Sequence, residues 1–250
     1  MQFTKMQGVG NDFIVINNIL LKIPLEKLPQ MAVRLCKRGL SIGGDALMVV
    51  DEPLKDGDFK MRFYNADGSI AEMCGNGARC IARYAYENKI AGESMKIETE
   101  AGDVLAWRQN KRLYRIKLNR PEDIRLDYPV KVDGKIYECS YIELGNPGIP
   151  HAVIQLNDFN EMPHEELFEL GKKLRWHSAF PKGANVNFYE LIKENHILEK
   201  TFERGVEDFT LACGTGSGSV VTALTLKGLV SGNNVQLTVP GGELFVDAIV

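Results

Sequence analysis

Met73-Cys-Gly-Asn-Gly-Ala-Arg-Cys80 and Ala212-Cys-Gly-Thr-Gly216 carry the same Cys-Gly-x-Gly turn twice. Working outward from these turns, further matches follow in the same order. Gly10-Asn-Asp-Phe-Ile-Val-Ile16 falls on Gly148-Ile-Pro-His-Ala-Val-Ile154, and Gly43-Gly-Asp-Ala-Leu-Met48 falls on Gly183-Ala-Asn-Val-Asn-Phe188. Lys96-Ile-Glu-Thr-Glu-Ala-Gly-Asp-Val-Leu105 falls on Gln236-Leu-Thr-Val-Pro-Gly-Gly-Glu-Leu-Phe245. Any one match could be a chance likeness of Gly-rich turns. Matches in a fixed order at nearly constant spacing indicate an internal repeat.

Each half therefore reads as one domain, 1–118 and 119–250. The join is expected near Asn119–Lys131, where Pro121, Asp123 and Pro129 interrupt any regular pattern. Short strands are expected at Phe13–Ile16, Leu47–Val50 and Lys60–Tyr64, with counterparts at Ala152–Gln155, Val186–Tyr189 and Ile197–Phe202. After each cysteine turn comes a helix, Ala78–Asn88 and Ser217–Lys227, then a β-branched strand, Met95–Glu98 and Val235–Val239. The second helix is nearly apolar all round, so it needs burial on most of its surface. Strands wrapped about a central helix supply that burial. The expectation is an α+β fold of two pseudo-symmetric lobes, each a barrel-like mixed sheet around one helix, with the active site in the cleft between them.

The chain has 250 residues, 44% hydrophobic and 25% charged, with a formal net charge of −3. That is an ordinary globular balance. No dense Lys/Arg block marks a nucleic-acid partner. The N-terminus does not read as a signal peptide, and no apolar run is long enough for a membrane span. A cytoplasmic protein is expected. Five cysteines without any Cys-x-x-Cys spacing argue against a disulfide scaffold and a zinc ribbon.

Glycines after a cysteine at a helix start let the backbone approach a ligand. The free N–H groups there bind a carboxylate and favour a thiolate. A phosphate-binding loop would need Gly-Lys-Ser/Thr, which neither turn has. A single nucleophilic cysteine would not explain a second in the matching place. An isolated cysteine is usually a small buried hydrophobe, and Cys36, Cys80 and Cys139 read that way. For the matched pair, the chemistry is inversion of a stereocentre: one sulfur takes an α-proton and the other returns one to the opposite face. Helix N-termini aimed at the α-carboxylate would spread the carbanion charge. One sulfur must start as thiolate and the other as thiol.

Lys5-Met-Gln-Gly-Val-Gly-Asn-Asp-Phe13, Tyr64-Asn-Ala-Asp-Gly-Ser69 and Phe202-Glu-Arg-Gly205 complete, with the two cysteine turns, a set that resembles the diaminopimelate epimerase family over nearly the whole chain. The resemblance implies a homodimeric enzyme with no cofactor and no metal, converting LL- to meso-diaminopimelate, a small-molecule amino-acid substrate. It implies Cys74 and Cys213 as the proton-transfer groups. Gly75, Asn76, Gly214 and Thr215 would hold the reacting end. Asn11, Asn65, Asn185, Glu203 and Arg204 would contact substrate, with Arg204 on the distal carboxylate. Asn146 takes the place of the family's loop Asn, and His151 that of its His. His151 either hydrogen-bonds near Cys74 or packs in the wall. The chain departs from the family where Phe209 replaces a common Glu, in the longer loop before His151, and after Val250, where members usually run on for another strand or two. Phe209 and that loop support a second reading, a racemase of a single amino acid such as histidine. A non-catalytic amino-acid binding protein is a third, which would not need both thiols.

Overall fold

The structure is a computed structural model that describes residues 1–71, 73–145 and 148–249. The chain forms two compact units, Met1–Lys117 and Leu118–Val250.

The first unit runs β1 (Thr4–Gly8), β2 (Asn11–Asn17), α1 (Asn18–Leu21), α2 (Leu28–Leu35), β3 (Ala46–Asp51), β4 (Phe59–Asn65), α3 (Gly75–Glu87), β5 (Ser94–Thr99), β6 (Gly102–Arg108) and β7 (Tyr114–Ile116). Its strands form one sheet in sequence order, β1 to β7. The pairs β2/β3 and β4/β5 are parallel, and the rest are antiparallel. Parallel neighbours need crossovers, which α2 and α3 supply. Side chains alternate along the buried strands. Phe13, Val15, Met48, Val50 and Phe63 join Ala78, Ile81 and Ala85 of α3 in one core. Ile14, Ile16, Leu47 and Val49 join Leu28 and Ala32 of α2 in another. This period-two division between two apolar faces explains why the strands read as continuous hydrophobic runs. Helix α3 touches β1, β2 and β3 as well as β6 and β7, so the sheet curls around it.

The second unit runs β8 (Pro121–Val132), β9 (Lys135–Leu144), β10 (Ile149–Gln155), α4 (His164–Arg175), β11 (Asn185–Lys193), β12 (His196–Glu203), β13 (Asp208–Phe209), α5 (Gly214–Leu226), β14 (Val235–Val239) and β15 (Gly242–Val246). The sheet order is β15-β14-β12-β11-β10-β9-β8, with β13 paired to β12. From β9 to β15 the pairings alternate antiparallel, parallel, antiparallel, parallel, antiparallel, as from β1 to β6. Helix α5 touches β9, β10, β11 and β15 and so occupies the place of α3. Ala152, Ile154, Val186, Phe188 and Phe202 pack on Leu167, Leu170 and Leu174 of α4.

Two expectations are corrected. The stretch Asn119–Lys131 is not an irregular join, because most of it belongs to β8. Pro121 starts that strand, β8 lies at the end of its sheet, and register shifts flank its bend. A terminal strand tolerates a missing N–H. The cysteine helices also begin three residues earlier than expected, at Gly75 and Gly214. The Gly-x-Gly segments are first helical turns, not loops. Glycine is required at the third position of each by close packing: a Cβ on Gly77 would lie 2.9 Å from the Met48 sulfur and 3.0 Å from the Phe63 ring.

Candidate active site

In the first unit Cys74 is the N-cap of α3. Its backbone is extended (φ −134, ψ 119), and Sγ accepts from the Gly77 N–H at 3.5 Å. A cap residue satisfies one of the donors that a helix start leaves open. Asn76, buried in the same turn, donates from Nδ2 to Asn11 Oδ1 at 2.7 Å and accepts from Arg79. Asn11 in turn donates to Asp45 at 3.2 Å. Gly75, Asn76, Asn11 and Cys74 therefore belong to one constellation. Asn65, at the end of β4, instead hydrogen-bonds Ser69 of its own turn at 2.9 Å. Burial lowers the Arg79 guanidinium below its ordinary value, and the nearby Cys74 and Cys80 sulfurs act against that.

Behind this constellation lie charges to which the sequence motifs assign no role. Asp45 also accepts from the Asp12 N–H at 3.1 Å and from Arg38 at 2.8 Å, and Asp12 pairs with Lys5 at 2.8 Å and with Arg38. The Arg38 hydrogen bond holds the Asp12 carboxyl down at about 2, against an ordinary value of 3.8. A carboxyl depressed on folding stabilises the fold fully above its unfolded value and loses that contribution as pH falls through the folded one. Acid denaturation between about pH 4 and about pH 2 is therefore expected to be shallower in Asp12→Asn than in the parent, whose stability should fall across that window. Denaturant titrations at a series of pH values check this. Parallel pH dependence in the two proteins would count against it.

In the second unit Cys213 caps α5 with an extended backbone (φ −120, ψ 104), and its sulfur lies 3.5 Å from Thr215 Oγ1. Gly214 and Thr215 form the first turn of that helix. Burial pushes the Cys213 thiol up to about 12, and the Glu203 carboxyl acts in the same direction. Burial likewise raises Glu203 above the usual carboxylate range, against Thr210, which lowers it. The expectation that a helix start alone favours the thiolate is thus reversed at Cys213 by desolvation. Burial also raises Cys80 and Cys139, each to about 12.

Asn185 opens β11 opposite His151 of β10. Its Nδ2 donates to the Pro150 carbonyl at 3.0 Å, and its Oδ1 accepts from the Arg204 N–H at 2.8 Å. Asn185 thereby ties the backbone of Arg204 to β10. The Arg204 guanidinium donates from Nη1 to the Lys182 carbonyl at 3.2 Å, and the residue is exposed. His151 is fully buried, and burial drives it down to about 3, so it is neutral. Asn146 lies outside the described residues.

Phe209 packs edge-on against Phe202 with centroids 5.5 Å apart, and its ring also meets Phe188, His164 and the Lys200 ammonium. It belongs to the apolar layer under α4. Among the described residues no cluster of three or more His, Cys, Asp and Glu side chains is placed to hold a metal ion, and no helix is long and apolar enough to cross a membrane.

A doubly repeated sheet-around-helix fold with a capping cysteine on each central helix defines the class, and the fold is shared with solved structures of low sequence likeness. One is a phenazine biosynthesis protein of the PhzF family from Enterococcus faecalis, with TM-score 0.71, 13% identity, and coverage of 99% of this chain and 91% of that one. Another is a probable proline racemase from Agrobacterium radiobacter, with TM-score 0.64, 16% identity, and coverage of 96% and 82%. The sequence pattern described as Diaminopimelate epimerase matches residues 3–119 and 144–248. The diaminopimelate epimerase of Aquifex aeolicus is 38% identical over 98% of this chain and 88% of its own length. That of Caldanaerobacter subterraneus is 38% identical over 99% and 92%. The chain belongs to the diaminopimelate epimerase family.

Proposed function

We propose that the protein epimerises diaminopimelate from the LL to the meso form, with Cys74 and Cys213 exchanging protons with one α-carbon. The observation that carries this is the pair of cysteine N-caps on topologically equivalent helices, in a chain of this family. Cys74 is the starting base in this reading: its sulfur accepts a backbone N–H and interacts with the Arg79 guanidinium. Cys213, held as the neutral thiol by burial, is the acid that protonates the opposite face. The reverse reaction exchanges the roles, so the thiols titrate as a pair. The N–H groups at the start of the two helices, led by Gly75 and Gly214, bear the charge that develops on the α-carboxylate. Such donors supply the stabilisation that an electron sink such as pyridoxal phosphate would otherwise give.

Arg204 suits the distal carboxylate. Its guanidinium donates from Nη1 to the Lys182 carbonyl and keeps further donors for a bidentate contact. Asn11, Asn65, Asn185 and Glu203 are assigned to substrate recognition on the same reading. Asn185 acts there by fixing the Arg204 backbone. The place of Phe209 in the apolar layer under α4 removes one reason to prefer a single-amino-acid racemase.

Purified protein without added pyridoxal phosphate or metal is expected to exchange the α-hydrogen of diaminopimelate with solvent deuterium. Mass spectrometry over a panel of amino acids reads this directly. Exchange with histidine or another single amino acid, and none with diaminopimelate, would overturn the substrate assignment.

A further inference from the structure

The two cysteine turns differ in charge at one position. Cys74-Gly-Asn-Gly-Ala-Arg79 falls on Cys213-Gly-Thr-Gly-Ser-Gly218, so the first turn carries a cation where the second carries glycine. Gly218 leaves no room for a side chain, since a Cβ there would lie 2.7 Å from the Leu118 side chain. The repeated fold therefore does not require an arginine at this place.

Side chains of a helix lean toward its N-terminus, and Arg79 does so. Its guanidinium donates to Asn76 Oδ1, and Nη1 lies 3.9 Å from where a Cβ on Gly75 would stand. The cation thus lies over the first turn of α3, beside the residue that follows Cys74. A guanidinium can only donate, so the Asn76 oxygen must face it, and Asn76 Nδ2 turns to Asn11. A cation at the positive end of a helix is unfavourable, and burial adds to that cost. Among the described residues no Asp or Glu pairs with it, and the groups that favour its charge are the Cys74 and Cys80 sulfurs. The sheet does not offset it either. Alternation turns Met6, Phe13 and Val104 toward α3 and the neighbouring Lys5, Asp12 and Asp103 away from it. On the near face Arg108 and Tyr114 titrate, but they meet the far half of α3, at Tyr86 and Glu87. On α3 itself Arg83 pairs with Glu87 at 2.8 Å. Cys80 lies in the core, where burial pushes its thiol up to about 12. Of the two sulfurs, Cys74 is the one that can carry the balancing charge.

We propose that Arg79 is a positioning residue that holds Cys74 as the resting thiolate and so makes the cysteine of the first half the base. Cys213 has the opposite surroundings, because the Glu203 and Glu199 carboxyls act against its thiolate. Two turns of one design are thereby given different resting charges. This deepens the epimerase reading and rests on it for its catalytic consequence, but the ionisation of Cys74 does not.

The test follows iodoacetamide alkylation of Cys74 in the whole folded protein over a pH series, with the site located by fragment mass spectrometry. The midpoint of the rate profile reports thiol ionisation. Arg79→Met and Arg79→Gln should each raise that midpoint by about one pH unit, a tenfold fall in thiolate at any pH below it. The glutamine keeps a donor for Asn76, so it separates the charge from the hydrogen bond. Arg79→Lys keeps the charge and should move the midpoint by less than about half a unit, and Arg83→Met should leave it in place. The acid limb of kcat/KM should rise with the midpoint, equally in both directions of the reaction because the equilibrium constant fixes their ratio. An unmoved midpoint in Arg79→Gln, a lysine variant that shifts as far as the methionine one, or a loss of activity with no movement of the acid limb would overturn the proposal. If the epimerase reading is wrong, α-hydrogen exchange fails while the alkylation midpoints still move.

Discussion

Cys74→Ala and Cys213→Ala are each expected to lower the rate of inversion by at least about a thousandfold, while leaving the fold intact. Alanine is expected to be tolerated because neither sulfur is in a disulfide and any L-residue adopts the extended backbone of the two cap positions. The loss is large because in the proposed reaction each sulfur transfers the proton at the α-carbon itself. His151 is neutral and buried, and Asn76 and Thr215 do not titrate. The two variants should not be equivalent in a second measurement. Each retains one sulfur, which can remove a proton from one face and return a solvent hydron to it. Exchange with retained configuration should therefore persist for the epimer that presents its α-hydrogen to the remaining sulfur. Mass spectrometry combined with chiral chromatography separates exchange from inversion. Near-normal inversion in either variant would rule out a two-sulfur mechanism.

Gly216→Ala is expected to cost about a hundredfold in kcat/KM, the scale on which a displacement of about 1 Å at a reacting group is felt. On propensity alone this change in a helix would stabilise the protein by about 1 kcal/mol. Packing reverses the sign. The added methyl would lie 2.3 Å from Asn187 Oδ1 and 3.2 Å from both Thr201 Oγ1 and the Cys213 Cβ. Overpacking of this kind costs about 1–3 kcal/mol. Relief requires the Asn187 amide or the start of α5 to move, and Cys213 is the cap of that helix. Gly75→Ala is the comparison for stability: its methyl would meet nothing nearer than the Ile116 side chain at 3.4 Å. Thermal denaturation should show a clear loss for Gly216→Ala and little for Gly75→Ala. Equal melting temperatures in the two would show that the contact is relieved at no cost.

The repeat is readable because its markers are chemically rare. Two cysteines, each followed by Gly-x-Gly and an apolar helix, leave few alternatives, and the strands Phe13–Ile16 and Leu47–Val50 are continuous apolar runs. The start of each helix is expected too late because glycine and asparagine signal a loop when read alone. Their place inside the first turn depends on what packs against them, Met48 and Phe63 in one case, Asn187 and Thr201 in the other. Pro121 and Pro129 hide β8 for a related reason: proline argues against a strand only where its missing N–H would be needed. The pairing of the supporting charges is not visible. Lys5, Asp12, Arg38 and Asp45 come from separate segments, and only pairing of β1 with β2 and of β2 with β3 gathers them. Glu199 and Thr201 alternate with Leu198, Lys200 and Phe202 along β12, so in the sequence each resembles a solvent-facing position, although both are buried.

Every strand of the first sheet comes from residues 4–116, and every strand of the second from residues 121–246. Among the described residues no strand is exchanged between them. During synthesis the first sheet can close around its helix as soon as its own segment has left the ribosome, without waiting for the rest of the chain, as units folding in turn generally do. The nascent protein then carries a finished half with a single capping thiol. The two-sulfur inversion proposed above begins only when the later half has folded as well, so a stalled or truncated chain is expected to invert no substrate.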